Sequence, residues 1–308
     1  MSKFAIEVQG LTKSFNGKLA VDQLDLSIPE GIICGFLGPN GSGKTTTIRM
    51  ICGLLKADAG QGTCLGFDLF KETRNIRKNI GYMTQKFSGY HDLTVRENLS
   101  FISRLFSIQN REETIDQTLE KFALTTRQNQ LAGYLSGGLK QRLALACCLI
   151  HQPKLVLLDE PTASVDPSAR RDFWEILYQT AAQGVTILVS THYMDEANRC
   201  QELIYLSNGR VLAQGSQQQI LHSSNIFIWN IYSQQIDYAY KILKKIPLIQ
   251  NISIFDQTLQ ISSKHPKAGD LTQMILHKEG IFATVTSHPF NLEDAYVHLI
   301  AQPKKIYL

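Results

Sequence analysis

The chain has 308 residues, 44% hydrophobic and 19% charged, which is ordinary globular usage and enough length for a full core plus a smaller second domain. Its net charge of +4 is modest and spread without a long basic run, which argues only weakly for a nucleic-acid or anionic-membrane partner and reads first as solvated surface. The opening "MSKFAIEVQG" has no apolar signal core, runs such as "LVLL" at 155–158 are too short to span a bilayer, and the six cysteines show no CxxC pair; the expectation is a soluble cytosolic chain with reduced core cysteines.

In chain order, "FAIEVQGL" (4–11) and "VDQLDLSI" (21–28) alternate apolar and polar residues around Asn16-Gly17, a strong hairpin-turn signal. "GIICGFLG" (31–38) reads as a short apolar strand ending in glycine, followed by a loop and a helix from about Thr45. Residues 92–150 turn helical, starting at "TVRE", where Thr94 is the N-cap and Glu97 closes a capping box. Two apolar strands, "KLVLLDEP" (154–161) and "VTILVSTH" (185–192), flank a helical stretch at 168–184, which predicts an α/β fold with a parallel sheet. A last hairpin, 202–216, turns at Asn208-Gly209.

The polar "SQQQILHSSN" (216–225) reads as a bridge to a second domain. Beyond it come strand (226–232), helix (235–246), strand (249–255), strand (258–264), helix (270–280), strand (282–287) and a helix capped by Asn291. The order βαββαβ is the split-βαβ, ferredoxin-like pattern of a small α+β domain.

Chemistry concentrates in five places. "GPNGSGKTT", Gly38 to Thr46, satisfies the phosphate-loop spacing through Gly38, Gly43, Lys44 and Thr45. There the glycines let backbone N–H groups close around phosphates, the lysine reaches the β/γ oxygens and the hydroxyl holds Mg2+. Such a loop needs a carboxylate at a distant strand end, and Asp159 stands there, with Glu160 next to it to activate a water for attack on the γ-phosphate. Gln85 and His192 end two further strand signals and are candidates for the metal with its attacking water and for the γ-phosphate, respectively. Ser136-Gly137-Gly138 opens an amphipathic helix, a second anion-binding helix start.

Together "GPNGSGKTT", Gln85, "LSGGLKQRL", "LVLLDEP", "SVD" and His192 resemble, in order and spacing, the Walker A, Q-loop, signature, Walker B, D-loop and switch-histidine motifs of ATP-binding-cassette ATPases. The resemblance covers residues 1–220 and implies a P-loop NTPase with a mixed sheet and a helical subdomain at about 87–150, followed by the accessory domain at 221–308. It implies ATP and Mg2+ as ligands: Phe15 for the adenine, Gly38, Pro39, Asn40, Gly41, Ser42, Gly43, Lys44, Thr45 and Thr46 for the phosphates, and Thr45, Gln85 and Asp159 for the metal. It also implies catalysis by Glu160, His192 and Gln85. Ser136, Gly137, Gly138 and Asp166 would serve the nucleotide on a second cassette, in a homodimer or heterodimer. Departures are Phe15 where the family usually has tyrosine, Ser164-Val165-Asp166 in the D-loop, and Leu139-Lys140 after the signature glycines.

The tail, ending "HPFNLEDAYVHLI", resembles the accessory domain of ABC-2-type exporter ATPases of multidrug, antibiotic or polysaccharide efflux. The implied setting is the cytoplasmic face of the membrane, beside two integral-membrane permease subunits on separate chains that would meet the surface around Phe87 and Tyr90, with no nucleic acid. Weighed against this are a soluble cassette acting on nucleic acid or ribosomes, an importer ATPase, and a degenerate cassette that binds ATP without hydrolysis. The presence of Lys44, Asp159, Glu160 and His192 speaks against the last.

Overall fold

The computed structural model describes residues 3–163, 165–224, 226–255 and 258–301. The chain divides into two compact units, Met1–Ser216 and Gln217–Leu308.

The first unit opens with β1 (Phe4–Phe15) and β2 (Lys18–Pro29). Asn16 and Gly17 between them have φ of 49° and 79°, the left-handed pair that a tight hairpin requires. After β3 (Ile33–Leu37) come α1 (Lys44–Ile51), β4 (Ala59–Cys64), β5 (Phe67–Asp68), α2 (Thr73–Asn79) and β6 (Ile80–Met83). The helical region holds α3 (Val95–Leu105), α4 (Arg111–Lys121) and α5 (Gly137–Leu149). The unit closes with β7 (Leu155–Asp159), α6 (Pro167–Ala182), β8 (Thr186–Thr191), α7 (Met194–Ala197), β9 (Glu202–Ser207) and β10 (Arg210–Gly215).

Two sheets result. An antiparallel sheet runs β2-β1-β4-β5, and a six-stranded sheet runs β10-β9-β3-β8-β7-β6. In the latter all neighbours are parallel except the β9-β10 hairpin, so the sheet is mixed as expected. Every residue of β3, β7 and β8 is buried, as befits central strands covered on both faces. Leu11, Val21 and Leu24 of the antiparallel sheet pack with Phe36, Leu157 and Leu188 of the other around Ile48 and Ile51 of α1.

The Thr94 capping box forms as read: Glu97 N–H donates to Thr94 Oγ1 at 3.1 Å, and Thr94 N–H donates to Glu97 Oε2 at 2.8 Å. The helical stretch at 92–150 resolves into three α-helices, interrupted at Asn110 and over the residues around 122–136. Several elements, β4, β5, α2 and α7 among them, have no counterpart in the sequence reading. β4, "AGQGTC", carries glycines where a strand pattern would carry apolar residues, and it is held by its register with β1 (Ile6 opposite Cys64, Val8 opposite Gly62). The polar bridge at 216–225 is, over Gln217–Ser224, the helix α8, anchored by the buried Ile220.

The second unit continues with β11 (Phe227–Ser233), α9 (Ile236–Leu243), β12 (Asn251–Phe255), β13 (Thr258–Ser263), α10 (Ala268–Lys278), β14 (Ala283–His288) and α11 (Leu292–Ala301). Its sheet runs β12-β13-β11-β14, antiparallel throughout, the order a split βαβ unit produces. Trp229, Ile231, Leu259 and Ile261 meet Ala239 and Leu243 of α9 and Ala268 and Leu276 of α10 in a separate small core. Asn291 caps α11, accepting from Asp294 N–H at 2.9 Å. All six cysteines are free, and burial pushes the Cys64 and Cys147 thiols up to about 12.

Candidate functional site

The loop from Gly38 to Gly43 leaves β3 and enters α1, with Gly41 and Gly43 at φ of 78° and 105°. Its glycines also meet packing limits: a Cβ on Gly38 would stand 2.3 Å from the Leu206 carbonyl oxygen, and one on Gly43 would stand 2.6 Å from that of Ala20. Lys44 is buried, and its Nζ donates to the Gly38 and Pro39 carbonyls at 2.7 and 3.2 Å. Ser42 Oγ and Thr47 Oγ1 are buried without a hydrogen-bond partner among the described residues.

Across from this loop, β7 ends in Asp159, whose buried carboxylate accepts from Ser190 Oγ at 2.9 Å. Ser190 is its register partner on β8. The same hydroxyl accepts from Glu160 N–H at 3.0 Å. Glu160 adopts φ 48°, a conformation unusual for a non-glycine residue, so it leaves the strand geometry. Its carboxylate thereby turns toward the loop, where Oε1 lies 3.3 Å from Lys44 Nζ. Its Oε2 accepts from Gln85 Nε2 at 3.1 Å and lies 3.5 Å from His192 Nδ1.

Phe15, Asn40, Gly41, Gly43, Lys44, Thr45, Thr46, Gln85 and Glu160 share the wall of one cavity of about 510 Å³, with Lys18, Leu19 and Ala20. Phe15 is 48% exposed at its rim, free to stack on a planar ring. The sequence reading missed Ser190, which ties Asp159 to Glu160. Its signal was one small hydroxyl residue inside the apolar run "ILVST".

Ser136, Gly137, Gly138 and Asp166 are absent from that cavity wall. Ser136 caps α5, accepting from Leu139 N–H at 3.4 Å. Asp166 caps α6, accepting from Ala169 and Ser168 N–H at 3.0 Å each. The Ala169 N–H foremost holds the Asp166 carboxyl below the usual carboxylate range. The two helix starts adjoin, since a Cβ on Gly138 would stand 2.9 Å from Ala169 Cβ. Ser164 lies outside the described residues.

A second cavity of about 350 Å³ separates the helical region from the β6 edge, lined by Tyr82, Phe87, Tyr90, Phe101, Phe106 and His151 among others. Tyr90 meets Phe101 edge-on at 4.9 Å, Phe87 meets His91 edge-on at 5.3 Å, and Phe106 stacks on His151 at 3.8 Å. Asn98 Nδ2 and Oδ1 bond the Tyr90 carbonyl and N–H, fixing that loop on α3.

A glycine cradle with two orphaned buried hydroxyls and a convergent lysine, opposite an Asp-Glu strand end, is chemically suited to polyphosphate and a hard divalent cation. The fold is that of an ATP-binding-cassette ATPase. Residues 21–163 match the family described as ABC transporter. The Nod factor export ATP-binding protein I of Rhizobium sp. (strain N33) is 36% identical over 97% of this chain and 98% of its own length. The probable multidrug ABC transporter ATP-binding protein YbhF of Escherichia coli (strain K12) is 44% identical over 71% of this chain, which spans 39% of that protein's length. The dimeric post-hydrolysis structure of the ATP-binding cassette MJ0796 bound to ADP and Pi superposes with a TM-score of 0.64 at 27% identity, over 68% of this chain and 98% of that one. The chain belongs to the ABC transporter ATP-binding family. No helix among the described residues is long and apolar enough to cross a membrane.

Proposed function

We propose that the chain is the ATP-hydrolysing subunit of an ABC-2-type exporter, working at the cytoplasmic face of the membrane as one of two cassettes beside two permease subunits. The observation that carries the hydrolytic reading is the convergence of Lys44, Gln85 and His192 on the Glu160 carboxylate at the wall of the phosphate-loop cavity. The names of the two relatives, multidrug transporter and Nod factor export, support efflux as the use.

In this reading Phe15 stacks on the adenine, loop N–H groups from Gly38 to Thr46 hold the phosphates, and Lys44 exchanges its carbonyl partners for β/γ oxygens. Thr45, Asp159 and Gln85 would hold Mg2+, which when bound neutralises phosphate charge. Glu160 orients a water and accepts its proton as the oxygen attacks the γ-phosphorus in line with the bond to ADP. His192 donates a hydrogen bond to the γ-phosphate. Ser136, Gly137 and Gly138 present a hydroxyl and a helix start to the γ-phosphate of the other cassette, with Asp166 beside them, so ATP closes the pair and hydrolysis opens it. The aromatic cavity at Phe87 and Tyr90 suits a short amphipathic helix from a permease.

The test is to tag the chain in its native cell, trap Glu160→Gln with Mg-ATP, extract in mild detergent and identify what co-purifies by mass spectrometry. A multi-spanning membrane protein in stoichiometric amount is expected. Ribosomes, nucleic acid or soluble proteins alone would overturn the exporter reading.

A further inference from the structure

Glu196 is a carboxylate at 1% exposure that the hydrolytic reading does not use. It sits in α7, four residues past His192. Its Oε1 accepts from the Thr162 hydroxyl, and its Oε2 accepts from Thr191 Oγ1 at 2.6 Å. Thr162 stands two residues after Glu160, and Thr191 stands immediately before His192. Both threonines are likewise 1% exposed, and Thr191 Oγ1 also accepts from Tyr193 N–H at 3.0 Å, which fixes its rotamer. The carboxylate is therefore a clasp between the two segments that bear the proposed base and the proposed γ-phosphate ligand.

The clasp is anchored on one further element. Arg170, in the first turn of α6, brings Nε to 3.6 Å from Glu196 Oε1 and Nη1 to 3.5 Å from Asp195 Oδ2. Its guanidinium also covers the Tyr193 ring at 4.6 Å. Arg170 Nε makes no hydrogen bond among the described residues, so its contact with Glu196 is one of charge and not a directed bond. Burying a carboxylate against two hydroxyls and a guanidinium is a costly way to stabilise a fold, since apolar side chains of similar volume do so as well or better. What such an arrangement supplies is geometry: it sets the spacing of two strand ends whose functional residues must meet one substrate.

We propose that Glu196 is a positioning residue for hydrolysis, holding Glu160 and His192 in register through Thr162 and Thr191. The proposal rests on the reading of Glu160 and His192 as hydrolytic groups. Because Asp166 is the N-cap of α6 and Arg170 lies in its first turn, the same clasp connects that helix start to the base.

The test is steady-state ATPase kinetics on the full chain, with affinity for a fluorescent ATP analogue and Tm measured alongside. Thr162→Val and Thr191→Val remove a donor at constant shape. Each is expected to lower kcat by about tenfold or more, with KM and nucleotide affinity within about threefold of wild type, because the misplaced groups act only in the chemical step. Thr162→Ser restores the donor and is expected to recover most of kcat; Glu196→Gln joins the series where it folds. Wild-type kcat in both valine variants, beside an inactive Glu160→Gln, would remove Glu196 from this role while leaving Glu160 in its own. A Thr162→Ser as slow as Thr162→Val would also overturn it, since the hydroxyl would then not be the cause. Normal hydrolysis by Glu160→Gln would overturn the reading of the base and this inference with it.

Discussion

Gln85 donates from Nε2 to Glu160 Oε2 at 3.1 Å across 75 residues of sequence. The contact exists because β6 and β7 are adjacent and parallel, so residues just past their ends emerge side by side. Ligands bind beyond the carboxyl ends of such strands, and there Gln85, His192 and Lys44 gather around the Glu160 carboxylate.

Glu160 is expected to be the group whose loss separates binding from turnover. Glu160→Gln keeps the shape and the Gln85 contact but cannot take a proton, so kcat should fall by about 10²–10⁴ with ATP affinity nearly unchanged. Single-turnover hydrolysis beside an equilibrium binding measurement checks this, and size-exclusion chromatography in Mg-ATP should show an accumulated dimer.

Ser136 tests where the proposed second anion site acts. Its hydroxyl caps α5 and stands apart from the cavity that holds Lys44 and Glu160. Ser136→Ala should leave nucleotide affinity of the isolated monomer unchanged and weaken ATP-driven dimerisation, measured on the Glu160→Gln background. Loss of monomer affinity would place the serine in cis.

His151 gives a pH dependence with a definite sign. Burial pulls its pKa below the ordinary 6.5, opposed only in part by the Ile80 carbonyl at 3.0 Å. The unfolded chain therefore binds this proton before the folded one does as pH falls, so stability is lost below about 6.5 and unaffected above it. Urea midpoints of wild type and His151→Gln should diverge in slope between about pH 7 and pH 5, the variant being the flatter.

Gly269 separates the stability of the two units. A Cβ there would stand 2.2 Å from Trp229 Nε1, so α10 lies against the indole at backbone distance. Gly269→Ala should destabilise the second unit by about 1–3 kcal/mol through overpacking. Calorimetry should show that transition move down while the ATP-stabilised one stays in place.

Much of the site was legible because its parts are local. Gly38, Gly43, Lys44 and Thr45 lie within one turn of chain, and the Thr94–Glu97 cap spans a single helical turn; both patterns survive in one dimension. β4 was not legible, because glycines at 60 and 62 erase the strand alternation and its partners on β1, from Thr12 opposite Ala59 to Ile6 opposite Cys64, are distant in sequence. Nor was the Glu196 clasp: a glutamate in an acidic turn looks like solvated surface until folding buries it between Thr162 and Thr191.

The sequence by itself determined the family, the phosphate loop, the Asp159-Glu160 strand end and the order of elements in the tail, since each depends on residue types at short fixed spacing. The tertiary structure alone decided which strand ends stand side by side. With that it decided that Glu160 turns out of its strand to meet Lys44, Gln85 and His192, and that Ser190 and Glu196 hold the two ends together. Those facts depend on sheet order and on burial, which arise when distant segments share one core and are not written in any window of the chain.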